Sequence, residues 1–158
     1  MSSNRLGSLL RGAEAEAVFR AWLDSSRLPY LCASGDGVPE HFRGLLTRPN
    51  YLVALPYAGT IAFNVKAMTG QERGYFFDVA EVRALATFDD LFRVSTFFAV
   101  LDPAGSARSV WFRLPDLVHA HQLTVKGDAV YSVPLTSGIA VDMDRPFQEA
   151  LRVAISLG

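Results

Sequence analysis

From Thr60 to Ala67 the chain alternates: Ile61, Phe63 and Val65 interleave with Ala62, Asn64 and Lys66. A period of two is the mark of a half-buried strand. Asn64 and Lys66 therefore project from one face, opposite the apolar set. A second strand-like run, Tyr51–Leu55, precedes it, and Pro56-Tyr57-Ala58-Gly59 joins the two. Proline and glycine punctuate turns, so the pattern predicts two neighbouring antiparallel strands. The same stretch, between Arg48 and Lys66, is the longest uncharged run. Pro49, Pro56 and Gly59 interrupt its seventeen residues, which are too few to span a bilayer comfortably.

The flanks supply helices and more strands. Ser8–Leu23 is rich in alanine (Ala13, Ala15, Ala17, Ala21) and reads as a helix with a wide apolar arc. A short strand is expected at Pro29–Ala33, then a turn at Ser34-Gly35-Asp36-Gly37; residues 38–49 carry no clear pattern. After Gly74, Tyr75–Phe77 reads as a strand leading into a helix from Val79 to about Ala86. Asp78 and Glu81 have the spacing of a capping signal for it. Thr87 and Asp90 repeat that spacing, which predicts a break and restart. Strands follow at Thr96–Leu101 and Ser109–Arg113, linked by Asp102-Pro103-Ala104-Gly105. Leu114 to Ala120 reads as a short helix, and Val125–Val133 as a hairpin turning at Gly127-Asp128. Asp144 is placed as the cap and Pro146 in the first turn of a last amphipathic helix, striped by Phe147, Leu151, Ala154 and Ile155. The order, roughly αβββαββ, predicts an α/β fold whose central strands form one mixed sheet flanked by helices.

Composition narrows the function classes. With 158 residues, 50% hydrophobic and 20% charged, the chain suits one ordered domain over residues 1–158. Cys32 is the single cysteine, so an intramolecular disulfide and a multi-thiolate zinc site are excluded. A net charge of −1 argues against a histone-like nucleic-acid binder but leaves room for a local basic groove. Residues 1–75 carry eight basic and six acidic side chains, residues 76–158 seven and ten. No signal-peptide core lies between Arg5 and Arg11, so a cytoplasmic protein without membrane association is expected.

One constellation stands above background: Gly12 to Glu16 in the first helix, Arg48-Pro49-Asn50 opening a strand, and Asn64-Val65-Lys66 on the next. On these residues the stretch Gly12–Leu101 resembles the PD-(D/E)XK nuclease superfamily, in particular its resolvase-like and restriction-endonuclease-like members. The resemblance implies an αβββαβ core over residues 8–101, with residues 102–158 adding C-terminal strands and a helix. It implies an acidic site residue from the first helix, here Glu16 with Glu14 in reserve. It also implies an Asp opening the second strand and an acid-x-Lys on the third. The chain carries Asn50 and Asn64 where those two carboxylates belong, and keeps Lys66. In that family the strand carboxylates hold Mg²⁺, a hard cation that prefers charged oxygen ligands. Each missing charge at ~4 Å removes ~4 kcal/mol of attraction at an effective dielectric of ~20.

The resemblance thus implies the fold more than the reaction. It points to a catalytically degenerate, nucleic-acid-associated protein with no metal or other cofactor, binding DNA or RNA. The vestigial site positions are Lys66, Glu16, Asn50 and Asn64; Arg11, Arg20, Arg43 and Arg48 are the cations expected near phosphate. One alternative is an active Mg²⁺-dependent endonuclease with migrated ligands drawn from Glu16, Glu40 and Asp78; Asp36 is another acid near the second strand. The other is an interaction module that no longer binds nucleic acid. Superfamily members often pair, so the resemblance admits a homodimer. Competing chemistry is weak. His119 and His121 share a face only if both lie on a strand, and no G-x-S-x-G elbow, Walker loop or dinucleotide fingerprint is present.

Overall fold

The computed structural model describes residues 2–32, 37–69, 71–105 and 107–156. Helix α1 covers Ser2–Ser25, longer at both ends than expected, and β1 is Tyr30–Cys32. The turn expected around Ser34–Asp36 lies outside the described residues. A single 3-10 turn, Glu40–Phe42, fills the unpatterned stretch before β2 (Tyr51–Leu55) and β3 (Gly59–Ala67). These two pair antiparallel from Tyr51–Phe63 to Leu55–Gly59, as the alternation requires. Strand β4 (Gly74–Asp78), helix α2 (Val79–Phe92), β5 (Ser95–Leu101) and β6 (Arg108–Arg113) follow. After these come α3 (Leu114–Leu117), β7 (His121–Val125), β8 (Asp128–Pro134), β9 (Ile139–Asp142) and α4 (Phe147–Ser156).

Among the described residues six strands form the main sheet, in the order β1-β2-β3-β5-β6-β9. The sheet is mixed, because β3 and β5 run parallel while the other pairs are antiparallel. A parallel pair needs a crossover; β4 and α2 supply it. One face carries Phe63, Val65, Phe97 and Trp111 against Phe19, Trp22 and Leu23 of α1 and Phe147 and Leu151 of α4. The other carries Phe98, Val100 and Phe112 against Val82 and Leu85 of α2, Leu114 and Leu117 of α3, and Phe77, Tyr131 and Val133. No helix among the described residues is long and apolar enough to cross a membrane.

Several local expectations are corrected. Tyr75–Phe77 does not join the central sheet: β4 pairs with β8 in a separate three-stranded sheet, β4-β8-β7, packed over the α2 face. Helix α2 neither breaks nor restarts. The Thr87 hydroxyl donates to Arg83 O at 3.1 Å, and Phe88 stacks on Phe92 one turn on. The hairpin starts at His121, and the short helix ends at Leu117. Asp144 does not cap α4. The Phe147 N–H instead donates to Ser26 Oγ at 2.9 Å, a cap supplied by the residue that follows α1, and Pro146 precedes the helix. Phe147, Leu151 and Ala154 are buried as the stripe requires, but Ile155 is 58% exposed.

Candidate functional site

The β2–β3 ladder stops at Tyr51–Phe63, and the next pair outward is Asn50 and Asn64. Here side chains replace the backbone bonds. The Asn50 N–H donates to Asn64 Oδ1 at 2.8 Å, and the Val65 N–H donates to Asn50 Oδ1 at 2.6 Å. Each amide oxygen thereby satisfies a backbone donor left over where pairing ends. Because Asn64 Oδ1 must face that N–H, its Nδ2 must face away. It donates to Glu81 Oε1 at 2.8 Å, so the orientation of this buried amide (5% exposed) is fixed from both ends.

Glu81 sits in the first turn of α2, whose start is fixed by Asp78: its Oδ1 accepts the Glu81 N–H at 3.0 Å. A carboxylate there also complements the positive end of the helix. Lys66, two residues beyond Asn64 on the same strand face, brings Nζ to 2.6 Å from Glu81 Oε1 and 2.9 Å from Oε2. Its ammonium lies 6.0 Å from the Phe98 ring centroid. The side chains of Lys66 and Glu81 remain 27% and 29% exposed, so the pair borders solvent.

These residues line a cleft of about 390 Å³ together with Arg11, Gly12, Ala13 and Glu16 of α1 and Tyr75 of β4. Its charged lining is Arg11, Lys66, Glu16 and Glu81, two of each sign. Burial pushes the Tyr75 hydroxyl up to about 12, with Glu81 and Glu72 adding to the shift and Arg11 opposing it. The phenol is therefore a neutral donor at physiological pH.

The structure brings together Glu16, Asn50, Asn64 and Lys66, with Arg11 beside them. Glu14 is exposed and not part of the lining, which separates it from Glu16. Other expected residues lie elsewhere. Arg20 is on the outside of α1, where its hydrogen bond with Tyr51 raises the guanidinium pKa. Arg43 is exposed after the 3-10 turn, and half-buried Arg48 packs its guanidinium against Gly37. Glu40 is exposed away from the cleft, and Asp78 is occupied as the α2 cap. His119 precedes β7 and only His121 lies on it. Among the described residues no three His, Cys, Asp or Glu side chains are placed to hold one metal ion. Glu81 is the site residue that sequence reasoning missed, having credited it only as part of a capping signal.

The Mg²⁺ ion that the sequence resemblance implies does not fit this donor set as it stands. Each Asn oxygen already accepts a backbone N–H, and as neutral amides neither supplies charge; both Glu81 oxygens face the Lys66 ammonium, with Asn64 also donating to one. Glu16 is then the lining carboxylate whose charge Lys66 does not offset, and Mg²⁺ is poorly served by one charged ligand.

No protein-family model matches the sequence, and no curated protein matches it. Among solved structures the chain is similar to Hjc, a Holliday junction resolvase from the archaeal hyperthermophile Archaeoglobus fulgidus. The match has a TM-score of 0.57 and 17% identity, and covers 81% of this chain and 94% of that one. Mixed sheet, flanking helices and this likeness together give the chain a resolvase/restriction-endonuclease-like fold.

Proposed function

We propose that the chain is a catalytically degenerate nuclease-like protein that binds nucleic acid at the cleft between α1 and β3 without cutting it. The observation that carries this reading is the closed network Asn50–Asn64–Glu81–Lys66. On the sequence resemblance, amides at the fork of β2 and β3 replace carboxylates, and here they and Glu81 are engaged by protein donors. Arg11 and Lys66 are the cations that line the cleft and can meet a backbone phosphate. The structurally similar protein is a Holliday junction resolvase, which makes four-way-junction DNA the first ligand to try.

A second reading has one observation in its favour. Glu16 and Glu81 are two carboxylates on the same cleft, so a Mg²⁺-dependent endonuclease with a migrated ligand set would need only that Glu81 leave Lys66. The experiment measures binding to duplex and four-way-junction DNA and to RNA across salt, with plasmid nicking in Mg²⁺ and Mn²⁺ alongside. The proposal expects binding that weakens steeply with salt and no nicking. No binding at low salt would remove it in favour of an interaction module. Metal-dependent nicking lost in Lys66→Ala would establish the second reading.

A further inference from the structure

We infer that Glu81 is an internal stand-in for nucleic-acid phosphate: its carboxylate neutralises Lys66 in the free protein, and Lys66 must leave it for a backbone phosphate to bind there. The inference rests on the nucleic-acid reading above and adds to it a residue that sets affinity. A carboxylate and a phosphate compete for the same ammonium, because both offer paired anionic oxygens to a compact point charge. Lys66 already has both Glu81 oxygens within 2.9 Å. The pair is not sealed in the core, with roughly a quarter of each side chain open to the cleft. Nor is Glu81 free to drift: Asn64 Nδ2 holds Oε1, and the α2 cap fixes its backbone N–H. Arg11, the exposed cation of the same lining, first meets the ligand. Lys66 then exchanges one anion for another. The site thus discriminates against weak anions, since only a ligand held elsewhere along its backbone repays the lost ion pair.

The test is fluorescence anisotropy with labelled four-way-junction DNA, duplex DNA and RNA across salt. The proteins compared are the original chain, Glu81→Gln, Glu81→Ala, Lys66→Ala, the Lys66→Ala/Glu81→Gln double variant, and Glu14→Gln as a charge control outside the cleft. Gln retains an acceptor for Asn64, and thermal melting followed by circular dichroism establishes that each variant is folded. The inference expects both Glu81 variants to bind about tenfold tighter, with the log–log salt slope steeper by about one contact. Adding Lys66→Ala should abolish the gain, and Glu14→Gln should not produce it. Three results would overturn exchange while leaving nucleic-acid binding intact: Glu81 variants no tighter than the original, a gain that survives loss of Lys66, or an equal gain from Glu14→Gln. Absence of binding by every protein at low salt would instead remove the underlying reading.

Discussion

Replacing Asn64 by Asp places a second carboxylate where an amide now donates. The acceptor half of the side chain can still take the Asn50 N–H at 2.8 Å, but the other oxygen would face Glu81 Oε1 at a similar distance, in a position 5% exposed. Two like charges that close repel by ~6 kcal/mol at an effective dielectric of ~20. Lys66, 2.6 Å from the same Glu81 oxygen, attracts both carboxylates and offsets a large part. Loss of a hydrogen bond to a charged group adds about 1.5–3 kcal/mol. Protonation of one carboxyl limits the total. The net cost should be about 3 kcal/mol at pH 8 without divalent metal, and smaller at pH 5. With a urea slope of about 2 kcal/mol/M, the unfolding midpoint falls by roughly 1.5 M. The swap Asn64→Asp/Glu81→Gln restores a donor facing an acceptor and leaves Lys66 a carboxylate, so it should recover most of the loss. An Asn64→Asp midpoint unchanged in EDTA, or a swap no better than the single variant, would refute the network.

Three smaller perturbations test the frame that holds the site. Asp78→Ala removes the cap on the Glu81 N–H and should cost about 1 kcal/mol, read as a lower urea midpoint with an unchanged slope. Phe63→Ala should cost about 3–5 kcal/mol by the same measurement, because its ring meets those of Phe19, Phe97, Trp111 and Phe147 at centroid distances of 4.9–5.7 Å. Burial holds the Asp89 carboxyl above its ordinary range despite its hydrogen bonds from Thr96. The folded state then binds that proton more tightly than the unfolded one, so this group's contribution to stability falls as pH rises from about 4 through its folded pKa. Melting temperatures across pH should show that decline in the original chain relative to Asp89→Asn; parallel curves would count against it.

The hairpin of β2 and β3 was legible from the period of two, which put Asn64 and Lys66 on one face. That face is not the solvated one expected, because β3 is buried on both sides, at Ala62 and Asn64 as at Phe63 and Val65. Asp78 was legible as a cap because capping is a local event. Glu81 was not. Its spacing from Asp78 explains it fully as a helix-start residue, and its reach to Lys66 depends on how α2 settles on the sheet. The available signal was Asn64 itself, since a polar amide within an apolar strand needs a partner for its donor as well as its acceptor. Sheet membership of β4 was hidden because Tyr75–Phe77 reads as a strand in whichever sheet it joins. The apparent restart at Thr87 failed because burial of Leu85 and Phe88 favours one continuous helix over a second cap. Ile155 kept the spacing of the α4 stripe yet lies past its buried part.

If the fork of β2 and β3 holds protein donors in place of a divalent metal, calorimetric titration of Mn²⁺ and Mg²⁺ should give no saturable binding by the original chain at millimolar metal. Asn50→Asp/Asn64→Glu should bind measurably, because its added carboxylates gain a cation to share, and its thermal stability should rise as metal is added. Saturable binding by the original chain, weakened by both Glu16→Gln and Glu81→Gln, would instead make the cleft a metal site.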